Sequence, residues 1–248
     1  MRHYARLLKM RCFSRGDVGR VLGAGKANST LDAYLKRGLL NRVKRDLYVA
    51  VDLATGLDAA DRYLIGSRVA PDAYLSHHSA LEVHGFYNEL GPEVCVSGPG
   101  RFNRFEYDDV RYRYVAPRAS GWVVEKDGAR ATGLERTIVE SIGDFDKIAG
   151  LEEVLRCLEL VRSPDEGALL EVLENIGRQV LYQKAGYVLS HFQKSMGLSE
   201  RFFRECEKNV GASVRYFRAG GPGRDDRFDR RWRLVAPRDL AGLAAAGA

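Results

Sequence analysis

An α+β fold is predicted by three observations. Helical periodicity with capping signals fills the first 38 residues and runs into a short basic hairpin, strand-like alternation falls at about 90–132, and amphipathic helical stripes fill 133–210. The expected division is an N-terminal part over 1–55 and a mixed α/β part over 56–248, in which a small antiparallel sheet precedes a C-terminal helical bundle. At 248 residues and 45% hydrophobic, the chain is long enough to build two cores.

Over residues 2–12, Tyr4, Leu7 and Leu8 share one side of a first helix. Ser14 followed by Asp17 is an N-cap with its acid three residues on, and Val18, Val21 and Leu22 give the next helix one apolar face. Gly23 to Gly25 stops it. A second start is expected at Asn28-Ser29, with Asp32 completing an S-x-x-D cap and Leu31, Tyr34 and Leu35 turned inward. Gly38 ends this helix. Leu39 to Tyr48 then reads as two short apolar strands flanking Asn41 to Asp46, which puts Arg42, Lys44 and Arg45 on or beside a hairpin tip.

Helix, tight turn, helix and basic hairpin is the layout of a winged helix-turn-helix. Small polar residues near the start of the second helix suit base edges in a major groove, cations further along suit phosphates, and a basic wing suits the backbone or minor groove. The candidate contacts to double-stranded DNA are Lys26 just before the helix, Asn28, Ser29, Thr30, Ala33, Lys36 and Arg37 along it, and Arg42, Lys44 and Arg45 on the wing. Charge agrees with this reading. Residues 1–50 hold twelve Lys or Arg and three Asp or Glu, a balance of +9, so the other 198 residues must total −3 for the whole chain to reach +6. Basicity concentrated on the motif is the footprint of a nucleic-acid reader.

Asp52 to Asp58 reads as a short acidic linker, and Ala59 to Val69 as a helix ended by Pro71. Ala73 to Gly85 holds three of the five histidines, His77, His78 and His84, with Ser76 placed as an N-cap. Metal binding there needs further ligands, and no Asp, Glu or Cys stands at a zinc-like spacing, so these are expected to be hydrogen-bonded structural histidines. Glu93 to Ser97, Val110 to Val115, Trp122 to Lys126 and Arg130 to Thr132 read as strands, with Tyr112 and Tyr114 facing one way and Arg111 and Arg113 the other. Arg101, Arg104, Arg111 and Arg113 form a second basic patch that suits either an auxiliary DNA contact or a solvated sheet face.

Further on, Thr132-Gly-Leu-Glu135 reads as a capping box, and Ser163-Pro-Asp-Glu166 as a cap with proline at the first helical position. Gln179 to Phe192 and Ser199 to Asn209 complete the bundle. Two short strands around a charged glycine-rich loop are expected at 213–236, and a frayed Ala/Gly end after Leu240.

No catalytic constellation survives its spacing rule. Gly19 to Lys26 lacks the first glycine of a phosphate loop, since Arg20 stands there, and Ala27 replaces the hydroxyl that would hold magnesium. A non-enzyme without metal or cofactor is expected. The four cysteines show no C-x-x-C pair, Met1 to Lys9 is charged where a signal peptide would be apolar, and no run approaches the ~20 apolar residues of a bilayer span. The expected location is the cytoplasm.

The assembled chain resembles the AbiEi-type antitoxins of bacterial type IV toxin-antitoxin systems. The resemblance rests on Gly38-Leu-Leu through Leu47-Tyr-Val49, Ala73 to Gly85, Thr132 to Val139, Gly150 to Leu155 and Leu181 to Leu189, with Trp232 to Leu240 resembling the family's closing strand. It implies a repressor that binds inverted repeats in its own promoter, and a C-terminal region that counteracts a cognate nucleotidyltransferase-like toxin, in phage defence, without a stable complex being required. It puts Ser29, Thr30, Ala33 and Lys36 on the recognition helix and Arg42, Lys44 and Arg45 on the wing. The alternative is a stand-alone transcriptional regulator with a C-terminal effector-binding domain; a third reading, suggested by the histidines, is a nuclease-like enzyme.

Overall fold

The computed structural model describes residues 2–87, 89–148 and 150–246, and its contacts divide the chain into two compact units. The first comprises 1–79, 92–116 and 123–131; the second comprises 80–91, 117–122 and 132–248. The basic hairpin and the sheet that follows it belong to one unit.

In the first unit, helix α1 (Arg2–Met10) leads to strand β1 (Cys12–Ser14), then α2 (Arg15–Leu22), α3 (Ala24–Lys36), β2 (Leu40–Lys44) and β3 (Leu47–Ala50). The Ser14 cap forms as expected. Its hydroxyl accepts from the Asp17 backbone N–H, and the Asp17 carboxylate accepts from that of Ser14. The start of α3 differs from the expectation by four residues. Gly23, at φ 93°, makes the turn alone, and Ala24 already begins the helix. Ser29 caps nothing; its hydroxyl donates back to Lys26 O at 3.2 Å, inside the helix. The buried side of α3 is Ala27, Leu31 and Tyr34, which pack with Tyr4, Leu7, Phe13, Val18 and Leu40 in one core. β1 was not anticipated. It pairs with β3 to give a three-stranded antiparallel sheet of order β1-β3-β2.

Continuing the chain, Asp61 caps α4 (Arg62–Gly66), β4 (Tyr74–Leu75) follows, and α5 (His77–His84) leads into the second unit. β5 (Glu93–Ser97), β6 (Phe105–Tyr107), β7 (Val110–Tyr114), β8 (Val123–Lys126) and β9 (Ala129–Thr132) complete a six-stranded sheet of order β6-β7-β5-β4-β9-β8. The expectation of a small antiparallel sheet is corrected here. β5 pairs with β7, and β4 with β9, in parallel. Alternation of side chains reveals which faces a strand presents but not its direction, and the short β6, which displaces β7 into parallel register beside β5, carried no signal of its own.

In the second unit, α6 (Leu134–Gly143), a 3-10 turn (Phe145–Lys147), α7 (Leu151–Leu160), α8 (Glu166–Ile176), α9 (Gln179–His191), α10 (Gln193–Met196) and α11 (Glu200–Lys208) precede β10 (Arg215–Tyr216), β11 (Asp226–Asp229), β12 (Leu234–Pro237) and α12 (Leu240–Ala246). Their core includes Ile138, Ile142, Val154, Leu158, Leu173, Leu189, Phe203 and Trp232. Two expected caps are absent. The Thr132 hydroxyl pairs with that of Thr137 at 2.7 Å, leaving Gly133 as the N-cap of α6, and Asp165, not Ser163, caps α8 through Ala168 N at 2.9 Å. Leu240–Ala246, expected to fray, is a helix in which Leu240 and Ala244, one turn apart, are both buried.

Glu140 organises α6 from within. Buried with Arg136, it accepts from Arg136 Nε at 3.0 Å and from the Arg118 and Ala119 backbone N–H groups at 3.3 Å, while Arg136 also donates to Gly121 O at 2.5 Å. Gly186 of α9 lies under the Trp232 ring, where an added Cβ would fall inside van der Waals contact.

Candidate nucleic-acid interface

The candidate residues on α3 separate cleanly by exposure. Opposite the buried Ala27, Leu31 and Tyr34, the helix exposes Lys26, Ser29, Ala33, Lys36 and Arg37, which recur at three- and four-residue spacing as one stripe. Asn28 is also exposed, whereas Thr30 is half-buried. Because α3 begins at Ala24, Lys26 lies in its first turn, and Asn28, Ser29 and Thr30 lie beyond it. The sequence had put those three at the very start of the helix.

The hairpin divides its cations. Arg42 and Arg45 are exposed, and Asp46, at φ 66°, makes the turn and pairs with Arg15 Nε at 3.3 Å. Lys44 goes elsewhere. Its ammonium lies 5.3 Å from the centroids of both Phe102 and Phe105, half-buried, and burial lowers its pKa against the opposing influence of Asp46. Lys44 is a strut between hairpin and sheet. Asp58 makes a second such link, accepting from Asn41 Nδ2 at 2.8 Å and from the Tyr107 hydroxyl at 2.5 Å. Burial, then the bond to Asp58, hold the Tyr107 hydroxyl well above its usual pKa. Sequence reasoning missed both links because Lys44 lies about 60 positions from its rings and Asp58 about 50 from Tyr107.

The second basic patch is held together by one acid. Arg104, Arg111 and Arg113 converge on the Glu93 carboxylate at 3.3, 3.7 and 3.0 Å, while Arg101 is exposed. The alternation foreseen for β7 holds. Tyr112 stacks on Phe105 at 4.7 Å and Tyr114 meets Phe102 edge-on, away from the arginines. Arg104 shares the acid but is more exposed than Arg111 and Arg113, so it and Arg101 are the more available to a phosphate.

His77 and His84 are hydrogen-bonded. His77, at φ 55°, places Nδ1 2.9 Å from the Ser76 hydroxyl, so Ser76 bonds its neighbour's ring. His84 Nε2 lies 2.8 Å from Thr132 O, and His78 is buried. The cysteines are buried and form no disulfide among the described residues; desolvation pushes the Cys12 and Cys206 thiols up to about 12. No helix among the described residues is long and apolar enough to cross a membrane.

No family model matches the sequence, and no curated protein matches it. Among solved structures, the crystal structure of the RV2827C protein from Mycobacterium tuberculosis is similar, with a TM-score of 0.66 over 98% of this chain and 92% of that one, at 16% identity. At that identity the likeness speaks for the fold alone.

Proposed function

We propose that residues 1–55 form a winged helix-turn-helix that binds double-stranded DNA, with α3 in the major groove and the β2–β3 hairpin as the wing. The observation that carries this reading is the exposed stripe Lys26, Ser29, Ala33, Lys36 and Arg37 on a helix whose other side is locked into a core. Arg42 and Arg45 add phosphate contacts from the wing. Arg101 and Arg104 are the members of the second patch that suit an auxiliary contact.

On the resemblance to AbiEi-type antitoxins, this DNA binder represses its own operon through inverted repeats and counteracts a nucleotidyltransferase-like toxin encoded beside it, acting in the cytoplasm as a binding protein and not as an enzyme. The resembling segments are spread along the chain, at the β2–β3 hairpin, β4–α5, the starts of α6 and α7, the body of α9, and β12. One experiment tests both halves. The adjacent gene is expressed with the full chain, either unaltered or carrying Lys36→Ala, Arg42→Ala and Arg45→Ala, while growth and binding to the upstream DNA are measured. The expected result is that both chains rescue growth and only the unaltered chain binds the upstream duplex. A harmless neighbour, or a toxic one that neither chain counteracts, defeats the antitoxin reading and leaves the repressor; equal duplex binding by both chains defeats the winged interface.

A further inference from the structure

The small sheet near the C-terminus, of order β10-β12-β11, turns two aromatic rings to solvent on one rung. Tyr216 of β10 and Phe228 of β11 are both registered against Val235 of the central strand. Residues on one rung share a face, so the three form a row across the sheet. Their neighbours identify that face as the outer one. Phe217, Leu234 and Ala236 are buried in the core, whereas Tyr216 is 51% and Phe228 52% exposed. With strands ~4.8 Å apart, the two rings stand about 10 Å from each other across Val235. Two large rings side by side in water need a reason.

The surrounding charge suggests one. Residues 211–240 contain eight Arg and four Asp with no Lys or Glu, a balance of +4 in a chain whose total is +6. Arg218, Arg230 and Arg233 lie two positions along the chain from Tyr216, Phe228 and Val235, in the bends and turns just past the strand ends, where they flank the row. Arg233 also donates to Ala212 O, and Asp226, the acid at the matching position on β11, is occupied by Gly223 N at 2.9 Å. Beyond the strand ends, Arg218, Arg224 and Arg238 line a cleft of about 450 Å³ together with Asp225 and Asp239.

Ring faces on an open sheet edged by guanidinium groups match unpaired bases on a phosphate chain. A paired duplex offers no base face to such rings, and an acidic peptide uses the arginines but has no use for the rings. RNA is the nucleic acid that regularly presents unpaired loops and ends. We propose that this face binds single-stranded RNA, with bases stacked on Tyr216 and Phe228 and phosphates held by Arg218, Arg230 and Arg233. Its residues belong to the second unit and the proposed DNA contacts to the first, and the inference does not rest on that reading.

The test is fluorescence anisotropy of fluorescein-labelled oligouridylate RNA with the full chain, in competition with oligodeoxythymidylate and with polyglutamate. Tyr216→Ala and Phe228→Ala should each weaken RNA binding at least about fivefold, the lower end expected for one lost base–ring stack. Tyr216→Phe, which keeps the ring, should bind as the parent does, and Tyr216→Leu, which keeps only apolar bulk, should bind as the alanine variant does. Arg42→Ala with Arg45→Ala should leave the effect of the ring variants unchanged. Both rings are exposed, so thermal melting of all variants should match the parent, and the Phe and Leu pair reports on stacking without a cavity. Alanine variants that bind like the parent, leucine that serves as well as phenylalanine, stronger competition by the deoxy oligomer, or polyglutamate that competes as well as RNA would each overturn the proposal.

Discussion

Lys44→Met and Arg45→Ala remove one positive charge each from adjacent positions, yet their effects on DNA binding should differ in kind. Arg45 is exposed at the hairpin tip, whereas the Lys44 ammonium is engaged 5.3 Å over each of two phenylalanine rings. Each phosphate neutralised adds ~0.9 to the slope of log K against log salt, so the five exposed cations of the helix and hairpin, Lys26, Lys36, Arg37, Arg42 and Arg45, would together contribute about 4.5. Arg45→Ala should lower the measured slope by about 0.9, so that over a fourfold rise in salt the gap between variant and parent narrows about 3.5-fold. Lys44→Met should leave the slope unchanged and instead lower stability by about 1 kcal/mol, from the loss of a partly desolvated cation over aromatic rings. The assay is anisotropy on a random-sequence duplex across a salt series, paired with thermal melting. A slope reduced as much by Lys44→Met as by Arg45→Ala would refute the assignment of Lys44 as a strut.

The other predictions concern the second unit. Glu140→Ala leaves the buried Arg136 without its carboxylate and two backbone N–H groups without an acceptor, so urea denaturation should register a loss of about 3–5 kcal/mol; replacing Arg136 by Met as well should recover part of it. Gly186→Ala would ordinarily help a helix interior by up to about 1 kcal/mol, but against the Trp232 ring it should instead destabilise by about 1–3 kcal/mol, and a raised melting temperature would contradict the packing. Lys184, with its ammonium 5.1 Å and 5.4 Å from the Phe145 and Phe217 rings, has its pKa lowered by burial although Asp146 pulls the other way. Its folded pKa lies below the unfolded value, so the unfolded chain holds the proton longer and stability should rise with pH between the two. Lys184→Met should abolish that rise, and an unchanged alkaline profile would show that Lys184 is not its source.

Local chemistry was legible wherever a few neighbouring residues settle the outcome. Ser14 and Asp17 announce a capping box that forms, and the apolar spacing of Leu31 and Tyr34 marks the buried side of α3, which in turn identifies the exposed stripe. The same reasoning over-read look-alikes. Ser29 and Thr132 have capping sequences, but their hydroxyls find other partners, Lys26 O and Thr137, because a cap competes with whatever the fold brings within reach.

By itself, then, the sequence determined the α+β class, the positions of most helices, the concentration of positive charge in the first 50 residues and the alternation of β7, since each depends on periodicity, composition or contacts within about one helical turn. Tertiary structure alone decided the parallel pairing of β5 with β7, the burial of α12, the loss of Lys44 to Phe102 and Phe105, the gathering of three arginines on Glu93, and the single rung that carries Tyr216 and Phe228. Those depend on strand direction and on partners distant in the chain. Side-chain patterning fixes which face an element buries, but the choice of neighbour is made only when the whole core closes.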